Sequence, residues 1–171
     1  MSLFFLESAA ARFKMALFTC GILFLSFPVH ADPGPESPFL GWSGYWSGSG
    51  IITMTNGAAE RIRCRATYAV NAGGRAVEQV LRCASDSYRL EISSNVMSQR
   101  GALSGSWSEA TRGVSGSISG RASGSQVVAY VGGSGFTARL DVRTHGNRQS
   151  VTIRPQGGTD VAAVSIALHK V

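Results

Sequence analysis

The 171-residue sequence holds no C-x-x-C, no G-x-S-x-G, no G-x-G-x-x-G and no phosphate-binding loop, although glycine occurs 21 times. The first absence removes support for a redox centre or a zinc site. The others remove it for a serine-hydrolase elbow, a dinucleotide fold and a phosphate cradle. Histidine is scarce, with three in the chain. His145 falls in the turn-like run Thr144-His145-Gly146-Asn147, and His169 stands near the C-terminus, so both read as solvated surface residues. Charged residues make up only 15%. Past Gly41 no stretch repeats its apolar residues at helical spacing, which argues against a helical bundle. No catalytic set, metal or cofactor is expected, and the protein reads as a non-enzyme.

What is present begins with an address. Arg12 and Lys14 precede a largely apolar run from Met15 to Phe27, and Val29-His30-Ala31 then offers small residues to a signal peptidase. This is the layout of a secretory signal peptide over residues 1–31, cleaved after Ala31. The run is short of the ~20 residues that span a bilayer, so no stable membrane span is expected after cleavage. The expected location is the bacterial periplasm or the exterior. Cleavage would remove Cys20 and leave two cysteines, Cys64 and Cys83, in an oxidising compartment, which reads as one disulfide. The remaining chain would carry a net charge of +5, with arginine supplying every cation but Lys170. Such a balance favours anionic partners, for example an anionic envelope component, while export disfavours nucleic acid.

Residues 32–43, with Pro33, Pro35 and Pro38, read as a proline-rich leader. From Gly44 short alternating runs separated by Gly, Asn and Ser predict ten strands: 44–55, 60–70, 76–84, 87–94, 101–109, 114–121, 125–131, 135–143, 148–154 and 161–169. Short links favour sequential antiparallel hairpins over crossovers. Alternation places Ile62, Cys64, Ala66, Tyr68 and Val70 on one face and Arg61, Arg63 and Arg65 on the other. Tyr88, Leu90 and Ile92, then Phe136, Ala138, Leu140 and Val142, and finally Ala162, Val164, Ile166 and Leu168, form similar apolar rows. One buried and one wet face predicts an all-β domain over residues 44–171. It would be an antiparallel up-and-down barrel of eight to ten strands, with a β-sandwich as the alternative.

Two hairpins can be registered from sequence. A two-residue turn at Gly73-Gly74 sets Cys64 opposite Cys83, Arg65 opposite Arg82 and Val70 opposite Val77. A turn centred on Thr111-Arg112 sets Trp107 opposite Gly116, Gly105 opposite Ile118 and Leu103 opposite Gly120. Large then lies against small at each step, as a barrel interior needs. Glu109 follows Trp107 on the inner face and is expected at the rim beside that turn.

Gly44-Tyr45-Trp46 at the first strand resembles the G-x-W of the calycins, the barrels that include lipocalins and avidins. That resemblance implies a tryptophan sealing one barrel end under an arginine from a late strand, for which Arg139 and Arg154 are the candidates. Glu60 to Tyr68 and Leu81 to Tyr88 also resemble small exported bacterial proteins of unknown function. Two functional readings follow. In the first, the interior binds a small, mostly apolar ligand among Tyr68, Tyr88, Trp107 and Phe136. In the second, the rim or the face carrying Arg61, Arg63, Arg65 and Arg82 engages an envelope macromolecule, for example as an inhibitor of a cell-wall enzyme. The bland reading of that face is neutralisation by Glu60, Glu78 or Glu91.

Overall fold

The computed structural model describes residues 37–171; the expected signal peptide, with Pro33 and Pro35, lies outside the described residues. Alternating runs form ten strands: β1 (Gly44–Met54), β2 (Ala59–Val70), β3 (Ala76–Ala84), β4 (Arg89–Gln99), β5 (Ala102–Glu109), β6 (Val114–Ser123), β7 (Gln126–Gly133), β8 (Phe136–His145), β9 (Arg148–Pro155) and β10 (Val161–Lys170). Each pairs antiparallel with its sequence neighbour, and β1 pairs with β10, so the sheet closes into a barrel with no free edge. Closure excludes the sandwich. No helix among the described residues is long and apolar enough to cross a membrane.

Every expected strand is present. β4 is longer than expected because Val96 and Ser98 continue its inward row against Gly105 and Leu103. It starts later because Ser85 and Tyr88 are held in a turn, with the Tyr88 amide donating to Ser85 Oγ at 2.9 Å. In β10 a register shift opposite Thr53 and Met54 turns Ala162 outward and sets Val161 opposite Met54, so Val161, not Ala162, completes the inner apolar row.

Both expected registers hold: Cys64 faces Cys83, Arg65 faces Arg82 and Trp107 faces Gly116. The first turn differs. Asn71 and Ala76 close a four-residue loop, the Asn71 carbonyl accepts the Gly74 amide, and Asn71 Oδ1 accepts the amides of Arg75 and Ala76. Of the two glycines only Gly74 takes a positive φ, 64°. The loop is symmetric about the same centre as a two-residue turn, so the pairing is unchanged. Cys64 and Cys83 are disulfide-bonded on the inner wall, both buried. A crosslink over 19 residues stabilises by about 3 kcal/mol in the chain-entropy model.

One end of the barrel is plugged. Phe39, Trp42, Tyr68 and Trp46 stack edge to face in sequence, with centroids 5.2, 5.4 and 6.2 Å apart. Phe39 and Trp42 thus belong to the core, not to an extended leader. The segment reaches inward because the β2–β3 loop anchors it: the Phe39 amide donates to the Gly74 carbonyl at 3.1 Å and Ser37 Oγ to the Gly73 carbonyl at 2.8 Å. Trp46 Nε1 donates to the Trp42 carbonyl at 2.7 Å, which satisfies the buried indole. Each such pair adds about 0.5–1.5 kcal/mol beyond its burial. The cation over Trp46 is Lys170 of β10, 5.9 Å from the ring, with its ammonium donating to the Gly41 carbonyl. Arg139 and Arg154 do not fill that place; they face each other across β8 and β9 and are exposed outside.

Trp107 is buried at the pairing with Gly116, and its Nε1 donates to the Gly132 carbonyl at 3.2 Å. What demands glycine at 116 is backbone. A Cβ there would collide with the Gly132 carbonyl and lie 2.9 Å from Gly133 Cα. Inward glycines at 48, 50, 105 and 120 meet neighbouring carbonyls in the same way, marking where strands bend and crowd. Gly116→Ala is therefore expected to lower unfolding stability by about 1–3 kcal/mol or more. Gly132→Ala, whose added methyl meets only Ser117 Oγ at 4.0 Å, is expected to be near neutral. Urea midpoints of the two variants check this, and equal midpoints would refute the crowding.

Candidate functional site

The inner wall is not uniform along the barrel axis. At the plugged end the inward residues are buried: Trp46, Tyr68, Val77, Leu103, Val127 and Leu168. Toward the other end burial is uneven: Ile52, Ile62, Cys83 and Ala138 are buried, whereas Leu90, Ile92, Leu140, Ile153 and Val164 are half-buried. This less completely buried end, opposite the plug, is the mouth of the barrel.

The four interior aromatics divide between these ends. Tyr68 belongs to the plug. Its hydroxyl donates to Gln149 Oε1 at 2.6 Å, Gln149 passes a bond to Thr144, and burial pushes the phenol well above its usual range. Phe136 is half-buried at the mouth and meets Trp107 edge-on, with centroids 6.1 Å apart. Tyr88 is half-buried on the rim beneath the Arg112 guanidinium, 4.9 Å from its ring. Trp107, Phe136 and Tyr88 thus sit on the mouth half, and Tyr68 does not join them. Sequence reading missed Phe39, Trp42, Lys170 and Gln149 of the plug; the aromatic pair before Gly44 was the one available signal.

The outer wall of β1–β4 carries the arginines. Arg61, Arg63, Arg65 and Arg82 are exposed, and Arg89 joins them through the row Arg63, Ala84, Arg89. Arg82 is paired with Glu91 at 2.8 Å. Among the described residues no ion pair engages Arg61, Arg63, Arg65 or Arg89. Glu60 is turned instead to Ser87, whose hydroxyl donates to both its carboxylate oxygens. Two depressions lie over this wall, of ≈ 470 and ≈ 730 Å³, and Ser47, Arg65 and Arg82 line both. Ser47 Oγ and His169 Nε2 approach to 3.3 Å there. Ser47 is half-buried and His169 exposed, and among the described residues no carboxylate is hydrogen-bonded to the His169 ring.

Glu109 lies at the rim, as expected, but is 3% exposed. Its carboxylate accepts the amides of Glu91, Thr111 and Arg112 and so caps the β5–β6 turn. Burial pushes its pKa up, but the hydrogen bonds from Thr111, Glu91 and Arg112 outweigh this and hold it down to about 2. A depressed folded value means stability that is full above the ordinary carboxylate range and lost as pH falls through about 2. The shift corresponds to about 3 kcal/mol. Glu109→Gln is expected to be less stable than wild type at pH 7, with the gap closing as pH falls from about 4.5 to 2. Urea unfolding of both proteins across that range measures the gap, and a constant gap would show that ionisation is not what holds the turn.

No protein-family model matches the chain, and no curated protein matches it. Solved structures do. Rv2717c from M. tuberculosis superposes with a TM-score of 0.62 at 12% identity, over 79% of this chain and 94% of that one. The S-type phycobiliprotein lyase CPES from Guillardia theta superposes with a TM-score of 0.55 at 10% identity, over 80% of this chain and 92% of that one. At such identities the likeness is one of fold: a closed antiparallel β-barrel of ten strands.

Proposed function

We propose that the protein is an exported, non-enzymatic barrel that binds a small, mostly apolar ligand through its open end. The observation that carries this reading is the half-buried apolar stretch of inner wall on β4, β8, β9 and β10 at the end opposite the plug, beside the buried Ile52, Ile62 and Ala138. Leu90, Ile92, Leu140, Ile153 and Val164 would supply the contact surface, with Phe136 and Trp107 as the aromatic wall. Apolar contact of this kind contributes roughly 25 cal/mol per Å² removed from water. The rim carboxylate Glu109 is committed to its turn, which leaves no free buried acid beside the ligand. The calycin resemblance agrees in one further respect: Trp46 of Gly44-Tyr45-Trp46 stands at the sealed end under a late-strand cation, here Lys170. The export signal would set this binding in the periplasm or outside the cell.

The reading is tested with Nile red, a neutral apolar dye that the arginine face does not attract. Saturable fluorescence enhancement is expected, with quenching of Trp107 emission. Ile153→Asp, on the half-buried inner wall, is expected to weaken dye binding by at least about tenfold, because a carboxylate there must be desolvated. Thr152→Asp, the same change one residue away on the opposite face, is expected to leave binding unaltered. Equal effects of the two, or no saturable binding by wild type, would remove the interior ligand.

A further inference from the structure

The outer wall of β1–β4 goes beyond the interior site and does not depend on it. Along β2 the arginines recur at every second residue, so Arg61, Arg63 and Arg65 stand about 6.7 Å apart on one face. Pairing extends the array sideways, to Arg82 beside Arg65 and, beyond Ala84, to Arg89. Beside β2, the outward residues of β1 and β10 include the small Ser47, Ser49, Ser165 and Ala167, with His169 opposite Ser47 and Ile51 opposite Arg61. Arg63, Arg65, Arg82 and Arg89 line a shallow trough in this wall. Its two depressions, ≈ 470 and ≈ 730 Å³, are continuous through Ser47, Arg65 and Arg82. At one end stands Tyr45, 69% exposed, with Val80 and Val171 beside it. Glu91 neutralises Arg82, and Glu78 lies outside the residues lining either depression.

Three features together narrow the occupant. Guanidinium is the cation suited to bidentate recognition of carboxylates, and three of those lining the trough, Arg63, Arg65 and Arg89, have no ion-pair partner among the described residues. Hydroxyls line the trough at Ser47, Thr67 and Thr111. One exposed aromatic ring offers a flat face of 69% exposure with apolar neighbours. An acidic peptide can also engage an arginine cluster, but it does not account for the exposed Tyr45 ring beside the hydroxyl-lined depressions. A bilayer surface is flat and cannot enter a trough. A stiff chain with regularly spaced carboxylates, hydroxyls and apolar ring faces meets all three features. We propose that this trough binds a segment of uronate-bearing polysaccharide, its carboxylates held by Arg63, Arg65 and Arg89 and one ring stacked on Tyr45.

The test is calorimetric titration of the protein with oligogalacturonate, with a neutral malto-oligosaccharide of equal length, polyglutamate and phosphatidylglycerol vesicles as comparators. Oligogalacturonate is expected to bind and the malto-oligosaccharide not to. The double change Arg63→Gln, Arg65→Gln is expected to weaken binding by about a hundredfold, from two charge-assisted contacts. Arg139→Gln with Arg154→Gln removes the same charge from the opposite wall and is expected to change it less than about threefold. Tyr45→Ala is expected to weaken binding several-fold with charge unaltered. Absence of oligogalacturonate binding, equal losses in the two arginine pairs, or an inert Tyr45→Ala would overturn the proposal. Equal or tighter binding of polyglutamate or of the vesicles would also overturn it, assigning the face to an acidic protein or a lipid surface.

Discussion

Backbone pairing of the first strand with the last, from Trp46 opposite Lys170 to Met54 opposite Val161, closes the sheet, and the other features follow from that closure. A closed sheet has an inside, and its strands must bend to make one. Bending brings neighbouring backbones closer than a side chain permits at several inward positions, and glycine occupies them. At Gly48 a Cβ would collide with the Ala167 carbonyl of β10, so the closing seam itself depends on the missing side chain. Closure also removes the exposed edges that make open sheets prone to pair with other chains.

The two barrel ends answer this closed geometry differently. At one, the chain before β1 folds back and fills the opening with aromatic rings, the Trp46 indole and the Tyr68 hydroxyl there being hydrogen-bonded. At the other, no segment of the described residues plays that part, and the apolar wall stays partly wet. The rim there is held by polar devices instead: the Glu109 carboxylate on its turn amides, Arg112 over Tyr88, and Glu60 on Ser87. These interactions fix the rim of that end.

Inside and outside are likewise separate surfaces. The inner wall is largely apolar, and apart from Ser98 Oγ its buried polar side chains are internally bonded, as Tyr68 is to Gln149 and Ser94 to Gln79. The outer wall of β1–β4 concentrates positive charge that the protein's own carboxylates leave largely unpaired. Unpaired exposed arginines cost little in water, so stability does not require a partner for them. Their alignment on one face nevertheless makes that wall electrostatically distinct from the Arg139 and Arg154 side, where Asp141 pairs with Arg143 nearby.

By itself the sequence determined whatever depends on local alternation and turn symmetry. Ten strands, the faces of β2, β4 and β8, the Cys64–Cys83 pair and the Trp107–Gly116 register were legible because a period of two and a hairpin centre are local quantities. Closure was expected from the same pattern, and the structure supplied the pairing that proves it. Only the tertiary structure decided what distant segments do to each other. Phe39 and Trp42 follow a proline-rich run and read as leader, because nothing local shows that the β2–β3 loop will capture them. Lys170, not Arg139 or Arg154, covers Trp46, because that choice depends on where β10 ends against β1. Gly116 is required by the backbone of β7 and not by the indole across from it, a crowding that exists only once the sheet has curved. The bulge that turns Ala162 out and Val161 in is of the same kind, since closing β10 onto β1 sets which residue must face the interior.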